Sequence, residues 1–258
     1  MSIRVERWCI CSGPAFVVVF GIGYWAIAHL VPPPSPLKTP IEVASFYSHG
    51  TNYLRLGLLV ALAGVPLQLP FVTAISRQLR RIEGEVATLS IIQLAAGALG
   101  VLILTFPFIL MEAIAFRPER NPDVTQGLND VAWTAFLGVF FVAVLQNITI
   151  AIGIFADRRP EPILARWLGY FNIFVALSFI PASLLFFFKS GPFAWPGLFV
   201  WWIPAILFFV WYLVMARALL DALKHEVDET MGRDQRAPGL KLENEDSHGG
   251  DHAAARAT

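Results

Sequence analysis

Charged residues are scarce in this sequence. Asp, Glu, Lys and Arg together make up 15% of the 258 residues, whereas 56% are hydrophobic. A water-soluble domain carries nearer to a quarter charged residues, because its surface must stay hydrated. This shortage of charge excludes an ordinary soluble domain. It predicts an integral membrane protein, with the lipid bilayer as an expected partner.

Other absences each remove a class of function. The two cysteines, Cys9 and Cys11, are too few for a disulfide framework, and two positions apart on a helix they point in different directions. There is no dense cluster of Lys and Arg to neutralise phosphates, so nucleic acid is not expected as a partner. The sequence also lacks a nucleotide-binding glycine loop, a nucleophile elbow and an HExxH motif. We therefore expect neither a cofactor nor a bound metal.

Six apolar runs are each long enough to cross a bilayer, which takes about 20 helical residues. They cover residues 8–31, 54–75, 87–115, 131–156, 167–188 and 195–219. Basic residues concentrate in alternate loops, namely Arg77, Arg80, Arg81, Arg158, Arg159 and Arg166. The positive-inside rule therefore predicts that both termini lie in the cytoplasm.

The predicted organisation is an all-α bundle of six transmembrane helices over residues 1–220, followed by a cytoplasmic tail over residues 221–258. The tail holds nine acidic residues against five basic ones and few apolar residues. Such a composition does not bury enough apolar surface to fold, so we expect the tail to be disordered.

Two loops on the side opposite the termini carry helix-start signals. Thr39, Pro40 and Glu42 fit an N-cap, a first helical position and a capping box, so residues 41–47 form either a short helix on the membrane surface or plain coil. In the next loop on this side, Asn129 and Asp130 precede the apolar run, and either residue is suited to cap the fourth span.

Side-chain amides on four spans form the first candidate site. Counted from the cytoplasmic ends of the spans, they lie at a similar depth in the inner half of the bilayer. Amides at one depth either join helices by hydrogen bonds or line a polar ligand pocket. The candidate ligand-binding residues are Gln68, Gln93, Gln146, Asn147 and Asn172.

Two carboxylates near the outer ends of spans form the second candidate site. Glu112 is the acid farthest from a clear loop, and Asp130 lies close to the same level, with Arg55 and Lys189 on neighbouring span ends. A carboxyl group partly removed from water suits proton transfer, so Glu112 and Asp130 are candidate catalytic residues. The alternative is ordinary interfacial pairing with the two cations.

Two histidines lie toward the same outer side, His29 at the end of the first span and His49 before the second. Haem and copper sites need ligands on facing helices with oriented partners, which this sequence does not indicate. An interfacial role is therefore the expected one.

A set of polar, aromatic and glycine residues recurs through the later spans and their loops. The set consists of Asn129, Asp130, Trp133, Gln146, Asn147, Asp157, Arg166, Trp167, Gly169, Tyr170, Asn172 and residues 187–195. With these residues, the chain resembles, over about residues 87–219, a family of small multi-span membrane proteins of unknown function that is common in actinobacteria. The resemblance implies a multi-pass protein of a bacterial inner membrane, without implying an activity.

The sequence leaves three functions open. The first is a bundle that binds or moves an apolar or weakly polar small molecule. The second is a subunit of a membrane complex, with another membrane protein or a second copy of the chain as partner. The third is an enzyme that acts on a lipid-like, terpenoid-type substrate, with Glu112 and Asp130 as acid and base. The absence of carboxylates at the midplane counts against ion-coupled transport.

Overall fold

The computed structural model describes residues 2–138 and 140–249, and the elements assigned within them are all helical. Six helical segments are long and apolar enough to cross a membrane, which confirms the predicted fold class. The chain is thus an all-α, multi-pass membrane protein. The six spans are Ile3–Ile27, Thr51–Glu83, Thr88–Phe116, Pro122–Ala156, Arg166–Phe186 and Leu198–Met231.

The α-helices of the described residues are numbered here in chain order. They are α1 (Ile3–Gly21), α2 (Pro40–Ser48), α3 (Thr51–Gly64), α4 (Gln68–Glu83), α5 (Thr88–Phe116), α6 (Pro122–Gly138), α7 (Phe141–Ala156), α8 (Arg166–Phe179) and α9 (Ile203–Gly249). We call the end of the spans that holds the N-terminus the near end and the opposite one the far end.

Short irregular turns interrupt several spans. Proline has no backbone N–H and clashes with the preceding turn, so it breaks the regular hydrogen-bond ladder. Accordingly, Pro66 lies in a 3₁₀ turn, Val65–Leu67, between α3 and α4. Pro181 lies in another 3₁₀ segment, Ile180–Phe186, that follows α8.

The segment after Thr39 forms the short helix α2 at the far end, which is the helical one of its two alternatives. The Thr39 backbone N–H donates to Glu42 Oε2 at 2.7 Å, and the Glu42 N–H donates back to Thr39 Oγ1. These reciprocal bonds complete the capping box, and they hold the pKa of Glu42 below its ordinary value.

One face of α2 packs into the protein. The Tyr47 hydroxyl donates to Asn129 Oδ1 at 3.0 Å, which links α2 to α6. Burial raises the pKa of Tyr47, because the phenolate form would lose its hydration. The surface helix is therefore attached to the spans by a buried neutral hydrogen bond.

The start of α6 corrects one prediction. The helix begins at Pro122, seven residues before Asn129, so Asn129 and Asp130 lie inside the helix and do not cap it. The Asn121 side chain accepts the Asp123 N–H at 2.9 Å, and Pro122 stands at the first position, where no N–H is needed. The helix thus starts at its own local cap, outside the apolar run.

The end of the chain belongs to a second structural unit. The chain divides into two units, Met1–Leu219 and Leu220–Thr258. Helix α9 continues to Gly249, through much of the segment predicted as a tail, and residues 250–258 lie outside the described part of the structure. The domain assignment of residues 221–258 stays a prediction.

Glycines bring the first span and α3 into close contact near the far end. A Cβ at Gly23 would collide with the Ala61 nitrogen and the Gly57 carbonyl oxygen, and one at Gly57 would collide with Ala28. Small residues at helix interfaces let backbones approach in this way inside membranes. The close contact fixes α3 against the end of the first span.

Aromatic side chains fill the interior of the far half. Tyr24 lies 5.7 Å from Trp201 and 6.0 Å from Phe136 between ring centroids, and Trp133 contacts the same two rings. A continuous chain of ring contacts runs from Tyr24 through Phe20 and onward to the near half of the spans. Aromatic rings thus fill much of the core in the far half.

Candidate functional site

All five predicted amide residues lie in the protein interior. Gln93 and Asn172 are fully buried, and the other three are at most 9% exposed. A buried polar group normally has a hydrogen-bond partner, because leaving one unpaired costs about 1–3 kcal/mol. The partners of each amide therefore distinguish a structural role from a binding role.

Two of the amides join helices. Gln68 Oε1 accepts a 2.6 Å hydrogen bond from the Tyr212 hydroxyl, which connects α4 to α9, while Gln68 Nε2 has no partner among the described residues. Asn172 Oδ1 accepts a 2.9 Å bond from Trp211 Nε1, and its Nδ2 donates to the Leu168 carbonyl at 2.8 Å. These residues fit the first alternative, hydrogen bonds between spans.

The remaining amides have free polar atoms and no hydrogen bond to another span among the described residues. Neither Nε2 nor Oε1 of Gln93 has a partner among the described residues, and the same holds for Gln146 Nε2. Asn147 is intermediate, because its Nδ2 donates to the Ala143 carbonyl at 2.8 Å while its Oδ1 is unpaired. Full burial without partners is the property expected of groups that await a ligand or water.

Gln93 and Gln146 belong to one region of the interface between α5 and α7. A Cβ placed at Gly97 would come within 2.9 Å of Gln146 Nε2, so the Gln146 amide lies against α5 at this glycine. Gln93 lies one turn away from Gly97 on the same face of α5, about 6 Å along the axis. We call Gln93 and Gln146 the amide pair.

The amide pair presents both kinds of hydrogen-bonding group. Each side-chain amide has a carbonyl oxygen as acceptor and an NH₂ group with two donors. Between them, Gln93 and Gln146 leave one acceptor atom and two donor nitrogens unpaired in a buried setting. A molecule with a hydroxyl or carbonyl oxygen is the simplest complement to such a set.

The outer carboxylates each have a separate partner. Glu112 Oε2 lies 3.9 Å from Arg55 Nε, a long ion pair between side chains that are 24% and 43% exposed. Asp130 Oδ1 is 3.5 Å from Asn129 Nδ2 and interacts electrostatically with Lys189. Among the described residues, no hydrogen bond or ion pair joins Glu112 to Asp130. Their catalytic roles stay a prediction.

The far end also has an open cleft of about 950 Å³ between the end of the first span, α2 and the start of α3. His29 and His49 both line it, so the structure brings the two histidines to one surface. Across the described residues, no group of three His, Cys, Asp or Glu side chains has a geometry suited to a metal ion.

One buried charge escaped the sequence analysis. Glu6 is 1% exposed at the near end, where its carboxylate forms an ion pair with Arg77 and accepts a 2.9 Å hydrogen bond from Gln78 Nε2. From the sequence alone, a charged residue at the start of an apolar run is expected at the membrane interface, because hydropathy contains no information on how helices pack. Glu6 ties α1 to α4.

The fold and the buried amides define an integral membrane protein of six spans with a polar region in its interior. Comparison with known proteins adds no assignment to this class: the chain matches no family model, no curated protein and no solved structure.

Proposed function

We propose that this membrane protein binds a small, weakly polar molecule within its spans, at the amide pair Gln93 and Gln146. The observation that carries the proposal is that three polar atoms of this pair are buried on facing helices without a partner among the described residues. Gln68 has a free Nε2 as well, but Gln68 and Asn172 are each engaged in a bond between helices, whereas neither polar atom of Gln93 is bonded within the described part of the chain.

The unpaired amide atoms lower the stability of the protein unless another molecule supplies their hydrogen bonds. Each unpaired buried donor or acceptor costs about 1–3 kcal/mol relative to a paired one. An apolar residue such as Met at position 93 or 146 would avoid that cost with a similar shape. Two glutamines at this interface thus favour a bound state in which a ligand supplies the complementary atoms. Binding sites often retain residues that lower the stability of the free protein because those residues are needed for function.

The surroundings of the pair limit the ligand's chemistry. Val72 and Gln146 both lie against Gly97, and hydrophobic residues dominate α5 and α7, the two helices that carry the pair. The ligand therefore has a mainly apolar body with one hydroxyl or carbonyl group, since a charged group would be left without a counter-charge.

The proposal also includes the orientation of the protein and the membrane in which it lies. The alternating basic loops support an orientation with both termini in the cytoplasm. The resemblance of residues 87–219 to actinobacterial multi-span proteins supports a bacterial inner membrane. A role as a subunit beside another membrane protein or a second copy is compatible with ligand binding. The enzyme alternative with Glu112 and Asp130 has the weaker support, because each carboxylate has its own partner.

Analysis of co-purified small molecules tests the proposal. The protein is purified in mild detergent and examined by native mass spectrometry, and organic extracts are compared between variants. Wild type should carry a small molecule that the double variant Gln93→Met, Gln146→Met lacks. Gln68→Met is the matched control. It removes a hydrogen bond between helices but leaves Gln93 and Gln146 in place, so it should retain the molecule. A wild type without a bound molecule, or a double variant that keeps it, would contradict the proposal.

A further inference from the structure

The cleft at the far end has an apolar wall and a polar wall. Ile27, Leu54 and Leu56 supply apolar surface from the first span and α3, whereas Lys38 and Glu42 lie on the side of α2. The cleft is open and adjoins the ends of two membrane spans. An amphipathic cleft at this level meets the headgroup region and the upper acyl chains of the bilayer at once.

The polar wall carries one fixed charge of each sign. Glu42 Oε2 accepts both hydrogen bonds from Thr39, at 2.7 and 2.8 Å, and no bond to Oε1 occurs among the described residues. The capping bonds keep the Glu42 carboxyl ionised by lowering its pKa. Lys38 Nζ lies 5.6 Å from the centre of the Phe46 ring, in the same cleft.

The apolar wall continues onto exposed hydrophobic side chains. Ile41 and Tyr53 are 73% and 70% exposed, and Leu56 is 50% exposed. In a bilayer these residues contact acyl chains, and tyrosine is the type of residue that favours the interface. The cleft is therefore continuous with lipid on one side and bounded by a charge pair on the other.

We infer that this cleft binds one phospholipid with an ethanolamine headgroup, its phosphate next to Lys38, its ammonium next to Glu42 and an acyl chain along Ile27 and Leu56. The inference is independent of the amide pair. A zwitterionic headgroup matches one cation and one anion, whereas an anionic lipid would face Glu42 without compensation. A primary ammonium donates hydrogen bonds to a carboxylate, which the methylated ammonium of a choline lipid does not do.

Lipid competition on the full-length protein tests this inference. Detergent-purified protein is incubated with equimolar phosphatidylethanolamine and phosphatidylglycerol of identical acyl chains, and retained lipid is counted by native mass spectrometry. Wild type should retain phosphatidylethanolamine about fivefold more, the effect expected of one exposed charge pair. Glu42→Gln should lose this preference, because glutamine preserves a capping box without the charge. Lys38→Gln should weaken retention of both lipids.

Glu85→Gln is the matched control, since Glu85 is an exposed carboxylate between α4 and α5 at the near end. It should leave the lipid ratio unchanged. A wild type that prefers phosphatidylglycerol, or that retains the two lipids equally, would overturn the inference. An unchanged ratio in Glu42→Gln would overturn it too. If Glu42→Gln folds poorly, Lys38→Gln is the second test, and wild-type retention of both lipids by that variant would overturn the inference.

Discussion

The Tyr212 hydroxyl donates a 2.6 Å hydrogen bond to Gln68 Oε1 and so joins the second and sixth spans in the buried interior. Phe71 contacts the Tyr212 ring at 5.1 Å between centroids, one turn from Gln68 on the same helix. A polar bond enclosed by aromatic packing is protected from competing water, so its loss has a measurable effect on stability.

Removal of the Tyr212 hydroxyl should destabilise the protein. Tyr212→Phe leaves Gln68 Oε1 buried without its partner, which we expect to cost about 1–2 kcal/mol in the free energy of unfolding. The measurement is an SDS-unfolding titration in detergent. Adding Gln68→Met to Tyr212→Phe should recover much of the loss, because both polar partners are then absent. A double variant that is less stable than wild type by the sum of the two single effects would show no coupling.

A methyl group at Gly23 should disturb the contact between the first span and α3. The atoms in its way are the backbone nitrogen of Ala61 and the carbonyl oxygen of Gly57, which cannot rotate aside. We expect Gly23→Ala to lower the free energy of unfolding by about 1–3 kcal/mol, the usual cost of overpacking. Gly100→Ala is the control, because a Cβ there has no neighbour within 4 Å. Equal stability of the two variants would contradict the close approach.

Loss of the Arg77 side chain should leave the buried Glu6 carboxylate with its hydrogen bond from Gln78 but without its ion pair. Arg77→Leu is expected to cost about 3 kcal/mol, the low end for breaking a buried ion pair, since the Arg77 side chain is 29% exposed. Arg77→Lys should retain part of the interaction. Thermal unfolding of the two variants in detergent checks the order, and an Arg77→Leu variant as stable as wild type would be inconsistent with a structural role for Glu6.

Acidification should weaken the cap of α2. The folded-state pKa of Glu42 lies below its ordinary value of 4.5. Its contribution to stability is therefore fully present above pH 4.5 and is lost as the pH falls through the lowered value. The difference in melting temperature between wild type and Glu42→Gln should shrink over that acidic range, because glutamine does not titrate. A difference that stays constant with pH would argue against ionised Glu42 as the capping group.

Local signals made α2 predictable and misplaced the start of α6. Thr39, Pro40 and Glu42 act within a single turn, so the sequence contains all the information that the capping box requires. For α6, hydropathy pointed to Asn129 and Asp130, where the apolar run begins, although the helix begins at Pro122. Hydropathy indicates where a helix meets lipid, and the cap indicates where its hydrogen bonds begin, so the two boundaries differ.

The sequence locates the amides of the candidate site but does not identify their partners. Counting residues along the spans predicts a similar depth for the five amides, and that depth stays a prediction. The sequence does not distinguish Gln68, which has Tyr212 as partner, from Gln93, which has none among the described residues. That difference depends on how each helix is rotated against its neighbours, which is set by side-chain packing such as the contact of Gln146 with Gly97.

The central claim is that Gln93 and Gln146 remain unpaired in the ligand-free protein because they serve a ligand. The most direct measurement is the free energy of unfolding of Gln93→Met in detergent-washed protein, with Gln68→Met as the reference. The account predicts that Gln93→Met is more stable than wild type by about 1–3 kcal/mol, since an unpaired buried amide is removed, whereas Gln68→Met is less stable. A Gln93→Met variant destabilised as much as Gln68→Met would show that Gln93 has a structural partner and would contradict the account.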